Sequence, residues 1–292
     1  MSITTVAKQV VLIGIAFGLA ILSVSILFGQ NKTEHKGEYK KTHEFCSDNN
    51  WSNGDRVSFH ELREMTLAAS GSLKVDGGRN GGVSIQGENR SNVFIKACVQ
   101  TWGMTDEAAK TAANSIKIAS NPEIKAEGGD DSNWSVSYDI RVPQSTNLKL
   151  NAHNGGISIN SVDGMLEFET TNGGVNLQNV SGDVTGKTTN GGVNVRLSGS
   201  SWKGSGLNVT TSNGGVNLTL PSNYAANIET GTVNGGFRSD IPSLNVTTED
   251  VKGEWNGHAK AKHVTTSLNG GGAPVKLLTT NGGIRINSAD NE

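Results

Sequence analysis

Three near-identical stretches decide the fold: Thr-Asn-Gly-Gly-Val-Asn-Leu at Thr171–Leu177, Thr-Asn-Gly-Gly-Val-Asn-Val at Thr189–Val195, and Ser-Asn-Gly-Gly-Val-Asn-Leu at Ser212–Leu218. Less regular copies begin at five more asparagines, namely Asn80, Asn154, Asn234, Asn269 and Asn281. From Asn154 to Asn234 the copies recur every 18–23 residues. A period of about 20 residues is typical of one coil of a solenoid.

The residues after each turn alternate between aliphatic and asparagine side chains. In the first stretch, Val175 and Leu177 flank Asn176, so the aliphatic side chains face one side of a strand. Asn-Gly and Gly-Gly favour positive φ and therefore tight turns. Stacked coils would align the turn residues into a hydrogen-bonded asparagine ladder. We assign to this turn and ladder Asn154, Asn172, Gly173, Gly174, Asn190, Gly191, Gly192, Asn213, Gly214, Gly215, Asn234 and Asn281.

This repeat predicts an all-β fold, specifically a single-stranded parallel β-helix or solenoid with coils of about 18–23 residues. An antiparallel meander is the alternative, because Asn-Gly is also a strong hairpin signal. Identical residues that recur in register at a near-constant period favour the solenoid, because like residues then stack on one another. A meander does not require such identity. One short helix is predicted at 106–116, where an alanine-rich stretch follows the N-cap candidates Thr105 and Asp106.

The N-terminus carries an apolar run of 19 residues, Val10–Phe28. A helix of that length approaches the thickness of a bilayer and exceeds the apolar core of most cleaved signals. We therefore predict a transmembrane signal-anchor within residues 1–30, with a cleaved signal peptide as the alternative. A polar linker at 31–43, a capping part of the solenoid at 44–147 and the regular repeat at 148–288 complete the predicted organisation.

The overall charge excludes one class of partner. The 292 residues carry a net charge of −2, so no basic field exists to hold nucleic acid. The membrane, through residues 10–28, is the one partner that the sequence predicts directly. The expected location is the bacterial cell envelope, anchored in the cytoplasmic membrane with the bulk periplasmic or extracellular. If the signal is cleaved, the protein is secreted.

The chain has two cysteines, Cys46 and Cys98, whose spacing fits no zinc or haem pattern. If the chain is exported, a disulfide between them is the natural interpretation. Two separately buried thiols are the alternative.

Several stretches resemble a known family. They are Phe94–Trp102, the alanine-rich helix after it, Trp134–Pro143 and the serial Thr-Asn-Gly-Gly-Val phrases. Together they are similar to the bacterial putative-adhesin family of exported β-strand-repeat proteins, over roughly residues 71–286. The resemblance implies a β-helix on the outer side of the cytoplasmic membrane. It transfers no catalytic or binding residue to this chain.

The motifs of common enzymes are absent from the sequence, including the P-loop, the Gly-x-Ser-x-Gly elbow and His-Glu-x-x-His. We therefore predict no catalytic, cofactor-binding or metal-binding residues. The enzyme alternative is a polysaccharide lyase or hydrolase, for which Asp183, Lys187 and Arg196 are the nearest candidates. Asp130 and Asp131 suggest a cation site, but adjacent carboxylates are more typical of a solvated turn.

These observations favour a non-catalytic, extracytoplasmic, adhesin-like or envelope interaction protein. Its expected partners are cell-wall or surface glycans or another envelope protein. Trp202 and Trp255 could stack on sugar rings, or they could cover the core at the coil edges. A purely structural envelope scaffold is a further alternative.

Overall fold

A computed structural model describes residues 45–46, 56–130, 132–242, 244, 247–252 and 258–289. All of them belong to the unit that spans His43–Glu292. The predicted signal-anchor and linker lie outside the described residues, as does Trp255. Within the described part of the chain, no helix is long and apolar enough to cross a membrane.

The described residues form twenty-one strands, which make up two large sheets that enclose the core, and one helix. In chain order they are β1 Val57–Ala68, β2 Ser72–Asp76, β3 Val83–Glu88, β4 Asn92–Gly103, α1 Asp106–Ser115, β5 Lys117–Ala119, β6 Ile124–Glu127, β7 Trp134–Pro143, β8 Asn147–Ala152, β9 Ile157–Asn160, β10 Asp163–Thr170, β11 Val175–Gln178, β12 Ser181–Thr188, β13 Val193–Arg196, β14 Gly206–Asn213, β15 Val216–Leu220, β16 Ala226–Asn234, β17 Phe237–Ser239, β18 Thr247–Lys252, β19 His258–Leu268, β20 Pro274–Asn281 and β21 Ile284–Ser288. Sheet A has the order β1-β4-β7-β3-β9-β11-β13-β15-β21-β17, and sheet B has the order β18-β19-β16-β20-β14-β12-β10-β8-β2-β6-β5.

Both sheets are mixed, and this overturns part of the predicted fold. Their middle strands run parallel, as in β9-β11-β13-β15 of sheet A. Antiparallel pairs lie at one edge of sheet A, with β1 on β4 and β4 on β7, and at both edges of sheet B, with β18 on β19 and β5 on β6. The prediction of one single-stranded parallel β-helix is therefore wrong. The repeat pattern predicts how the repeat units stack on one another. It carries no information on the segments outside the repeat, and those segments form the antiparallel strands at the edges.

The coils are also stacked out of chain order. Strands β20 and β21 come last in the chain, yet they lie between β14 and β16 in sheet B and between β15 and β17 in sheet A. The 35 residues that separate Asn234 from Asn269 include the β18–β19 hairpin, which extends sheet B beyond β16. Asn269 itself is not a repeat turn, because it has a φ of 49° and its side chain bonds the carbonyls of Ser222 and Tyr224.

The core consists of aliphatic rows contributed by both sheets. In sheet A, Val175 pairs in register with Val193, and Leu177 pairs with Val195. These side chains are at most 2% exposed, so each coil buries its apolar residues on those of the next. Sheet B adjusts the packing at one point, where the Phe168 ring fills the space beside Gly186 in the neighbouring strand.

The Gly-Gly turns owe their composition to close packing between coils. None of these glycines in the three regular repeats has a positive φ. The expectation that glycine is needed there for a positive φ is therefore wrong. A Cβ atom added to the first glycine of each pair would overlap the carbonyl oxygen of the glycine in the adjacent coil, as at Gly191 against Gly173. A Cβ on the second glycine, Gly192, would lie 3.5 Å from the carbonyl oxygen of Gly215, which is ordinary contact.

Buried threonines tie each turn to its neighbour. The Thr188 hydroxyl donates to the carbonyl oxygen of Gly173 at 2.8 Å, and Thr211 makes the same bond to Gly191. The carbonyls at the tight corner therefore have hydrogen-bond partners although water cannot reach them easily.

Helix α1 packs against strands β1 and β4 at one end of the molecule. Thr105 caps its N-terminus by accepting a hydrogen bond from the N–H of Ala108, while Ala109 and Ala113 are fully buried. Arg63 of β1 donates to the carbonyl oxygens of Ala113 and Ile116 at 2.8 and 2.6 Å. A cation from another strand thus stabilises the helix C-terminus, whose own last turn has no basic residue.

We expect Gly191→Ala to lower the free energy of unfolding by about 3 kcal/mol, because the new methyl group overlaps backbone that cannot move away. The matched control, Gly192→Ala, should change that free energy by less than about 1 kcal/mol. Denaturant unfolding followed by circular dichroism measures both. Equal effects of the two substitutions would contradict the close-packing explanation.

Candidate binding surface

The asparagines of the turns form a continuous ladder along one edge. From Asn154 onward, each side-chain amide N–H donates to the amide oxygen of the asparagine that precedes it in spatial order, at 2.7–2.9 Å. In spatial order the ladder consists of Asn80, Asn154, Asn172, Asn190, Asn213, Asn281 and Asn234. Because these amides bond to one another, we assign to the ladder mainly the role of holding the coils in register.

A second polar row lies on the outer face of sheet A, and we name it the outer amide row. Parallel pairing places its members side by side across consecutive strands: Ser84, Ser158, Asn176, Asn194 and Asn217. Its three asparagines are exposed. Asn217 donates to Asn194 at 2.8 Å, but the Asn176 side chain makes no hydrogen bond to any other described residue. This row therefore keeps hydrogen-bonding groups available to a ligand.

A shallow groove of about 510 Å³ runs beside the outer amide row. Ser84, Ser158 and Asn176 line it, and Phe45 also lines it. A volume of that size is within the range of small-ligand sites, which combine apolar contact with a few polar groups. The sequence analysis did not single out Phe45, although its position next to Cys46 was a usable signal.

A disulfide joins Cys46 to Cys98, as the sequence predicts, across 52 residues. Cys98 lies in β4, with its side chain on the opposite side of the strand from the buried row Ile95, Ala97 and Val99. The disulfide therefore holds Phe45 against the outside of sheet A. No free cysteine remains in the part of the chain that is described.

The outer face of sheet B differs from that of sheet A, because cross-strand ion pairs occupy it. Lys149 pairs with Glu167 and Lys187 pairs with Glu169, each at 3.0 Å. Lys276 pairs with Glu229 at 2.7 Å. These exposed pairs contribute little stability each, but in each of them a lysine and a carboxylate neutralise one another.

The candidates for the enzyme alternative do not converge. Asp183 and Lys187 lie four residues apart in β12, and extended backbone separates such residues by about 13 Å. Arg196 belongs to β13 in the other sheet. Within the described residues, no group of three or more His, Cys, Asp or Glu side chains could hold a metal ion.

Trp202 covers the core rather than a ligand. Its side chain is 7% exposed, and its indole N–H donates to the carbonyl oxygen of Gly182 at 3.0 Å. The suggestion that Trp202 stacks on a sugar ring is therefore wrong. Trp255 lies outside the described residues.

The pKa shifts mark structural groups. Hydrogen bonds from Ser132 hold the pKa of the Asp130 carboxyl below its usual value, which fits a solvated turn; Asp131 lies outside the described residues. Burial raises the pKa of the Tyr138 phenol, and it raises the pKa of Tyr224 to about 12. General acid–base catalysis would require shifts toward neutral pH instead.

Comparison with known proteins places this architecture in a family. The family model described as Toastrack DUF4097 matches residues 105–286, which is more than half of the chain. The chain belongs to the Toastrack DUF4097 family. The Toastrack fold is β-solenoid-like, in agreement with the stacked parallel strands of the two sheets. The family assignment supports the expected family resemblance only in part, because it does not extend to the Asn-Gly-Gly repeat.

One solved structure resembles this Toastrack chain. It is a chain from Clostridium sporogenes described as a putative cell adhesion protein, with 13% sequence identity and a TM-score of 0.39. The alignment covers 78% of this chain and 100% of the other. No curated protein matches the sequence.

The two asparagine rows of the Toastrack chain should respond differently to alanine. Asn190 donates to Asn172 and accepts from Asn213, so Asn190→Ala should lower the free energy of unfolding by about 1–2 kcal/mol. Asn176→Ala should change it by less than about 0.5 kcal/mol, because that side chain is exposed and bonds no described residue. Denaturant unfolding distinguishes the two. A larger effect at Asn176 would contradict the assignment of structural and available rows.

Proposed function

We propose that this Toastrack protein is a non-catalytic, adhesin-like envelope protein that binds surface glycans with the outer face of sheet A. The observation that carries the proposal is the outer amide row. Its amides and hydroxyls recur from strand to strand at about 4.8 Å, with Asn176 unbonded to any other described residue. An extended polymer of similar small units can meet such a row repeatedly.

The chemistry of the groove suits sugars. Amide and hydroxyl groups donate and accept hydrogen bonds, as sugar hydroxyls require, and the Phe45 ring offers an apolar face for the C–H groups of a pyranose. In the ion pairs of sheet B, by contrast, Lys149, Lys187 and Lys276 each already bond a carboxylate. These side chains are therefore less available to a sugar.

We further propose that the protein works outside the cytoplasm, with residues 10–28 in the cytoplasmic membrane and the two sheets in the periplasm or beyond. The disulfide between Cys46 and Cys98 supports this location, because disulfides persist in oxidising compartments.

A glycan array with the full-length protein in detergent tests the proposed surface. The triple variant Asn176→Ala, Asn194→Ala, Asn217→Ala should weaken binding by roughly tenfold or more, since each lost hydrogen bond contributes modestly and the losses add. The matched control on sheet B is Asn151→Ala, Thr185→Ala, Asn208→Ala, which should bind as the wild type does. Thermal unfolding of both variants checks that the fold persists.

Three outcomes would contradict the proposal. The first is an unchanged affinity in the sheet A variant, and the second is a selective loss in the sheet B variant. The third is release of new reducing ends from a bound polysaccharide, which would identify an enzyme.

A further inference from the structure

Two arginines extend the outer amide row at one end of sheet A. Asn217 pairs in register with Arg285 of β21, and Arg285 pairs with Arg238 of β17. Both arginines are exposed. Parallel pairing therefore places two guanidinium groups side by side, one strand spacing of about 4.8 Å apart at their Cα atoms.

The strands at this end of the face have no acidic side chain within the described residues. Strands β13, β15, β21 and β17 contain no Asp or Glu, while β13 adds a third cation, Arg196. The nearest acidic residue along the chain from Arg238 is Asp240, whose carboxylate accepts the backbone N–H of Ser288 at 2.7 Å. Neither Arg238 nor Arg285 forms an ion pair within the described residues.

This arrangement differs from charged neighbours elsewhere on the sheets, where a carboxylate is at hand. On sheet B, Lys74 also lies beside Lys149 in register, but Lys149 bonds Glu167 at 3.0 Å. At the opposite end of sheet A, Arg141 bonds Glu88 at 2.8 Å. Like charges directly across two strands are destabilising, so Arg238 and Arg285 together weaken the folded protein unless an anion joins them.

We propose that Arg238 and Arg285 form an anion site that binds the carboxylate groups of an acidic, uronate-containing polysaccharide lying along the outer amide row. The inference rests on the proposed glycan binding and specifies its ligand class. A planar guanidinium binds a carboxylate through two parallel hydrogen bonds. The asparagines next to the arginines bind the sugar hydroxyls, so one polymer chain contacts both sets of groups.

The test compares two forms of one polymer, polygalacturonate and its methyl ester, which differ in charge but not in the sugar chain. Full-length wild-type protein should bind polygalacturonate roughly tenfold more tightly than the ester, because only the acid forms charge-assisted bonds. The double variant Arg238→Gln, Arg285→Gln should bind both forms with equal affinity. The control Lys110→Gln, Lys117→Gln removes the same charge near α1 and should retain the preference.

The outcomes separate this inference from the proposed function. Equal wild-type affinity for the acid and the ester overturns the anion site and leaves glycan binding intact. If the protein binds neither form, both the anion site and the proposed glycan binding are overturned. A retained preference in the arginine variant, or equally tight binding to double-stranded DNA, also overturns the uronate site.

A second readout concerns the unliganded protein. Removing one of two adjacent like charges should leave the Tm of Arg285→Gln equal to or above that of the wild type. A lower Tm would identify the arginines as part of the structural framework and would overturn the inference.

Discussion

The close approach of consecutive Asn-Gly-Gly turns is the constraint on which the rest of the structure depends. At Gly191 the backbone of one coil lies so near the carbonyl of Gly173 that no side chain fits between them. That approach brings the turn amides within hydrogen-bonding distance and fixes the register of the parallel pairs within the repeat. With the register set, valine lies beside valine inside, threonine hydroxyls reach the corner carbonyls, and the outer asparagines line up across the strands.

Local patterns in the sequence were sufficient for the features that depend on local chemistry. The repeat period, the alternation of Val175 with Asn176, the helix after Thr105 and the cysteine pair all reappear in the structure. The strand order did not follow from them. Strands β20 and β21 have the same repeat pattern as their neighbours, so nothing in that pattern shows that they insert between earlier coils.

The candidate surface was predictable only in part. The alternation indicates that asparagines face outward, but it does not distinguish amides that bond each other from amides that remain available. Asn176 and Asn217 occupy the same position of the repeat, and only the structure shows that Asn217 donates to Asn194 while the Asn176 side chain bonds no other described residue. Arg238 and Arg285 lie 47 residues apart and become neighbours only because the last coil pairs with an earlier one. Both alternatives for Trp202 stayed open in the sequence, because an aromatic residue in an irregular stretch can pack inward as easily as outward; the structure shows it packed inward.

The two outer faces thus differ in how their polar groups are used. Sheet B pairs Lys149, Lys187 and Lys276 with carboxylates, whereas sheet A ends in Arg238 and Arg285, which form no ion pair within the described residues and lie beside a row of amides. The most direct test of that asymmetry is the side-chain amide spectrum of the ¹⁵N-labelled protein during titration with oligogalacturonate. We expect shifts of the Asn176, Asn194 and Asn217 amides, with the ladder amide of Asn190 and the sheet B amide of Asn208 unchanged. Shifts confined to Asn208 or to the ladder would contradict it.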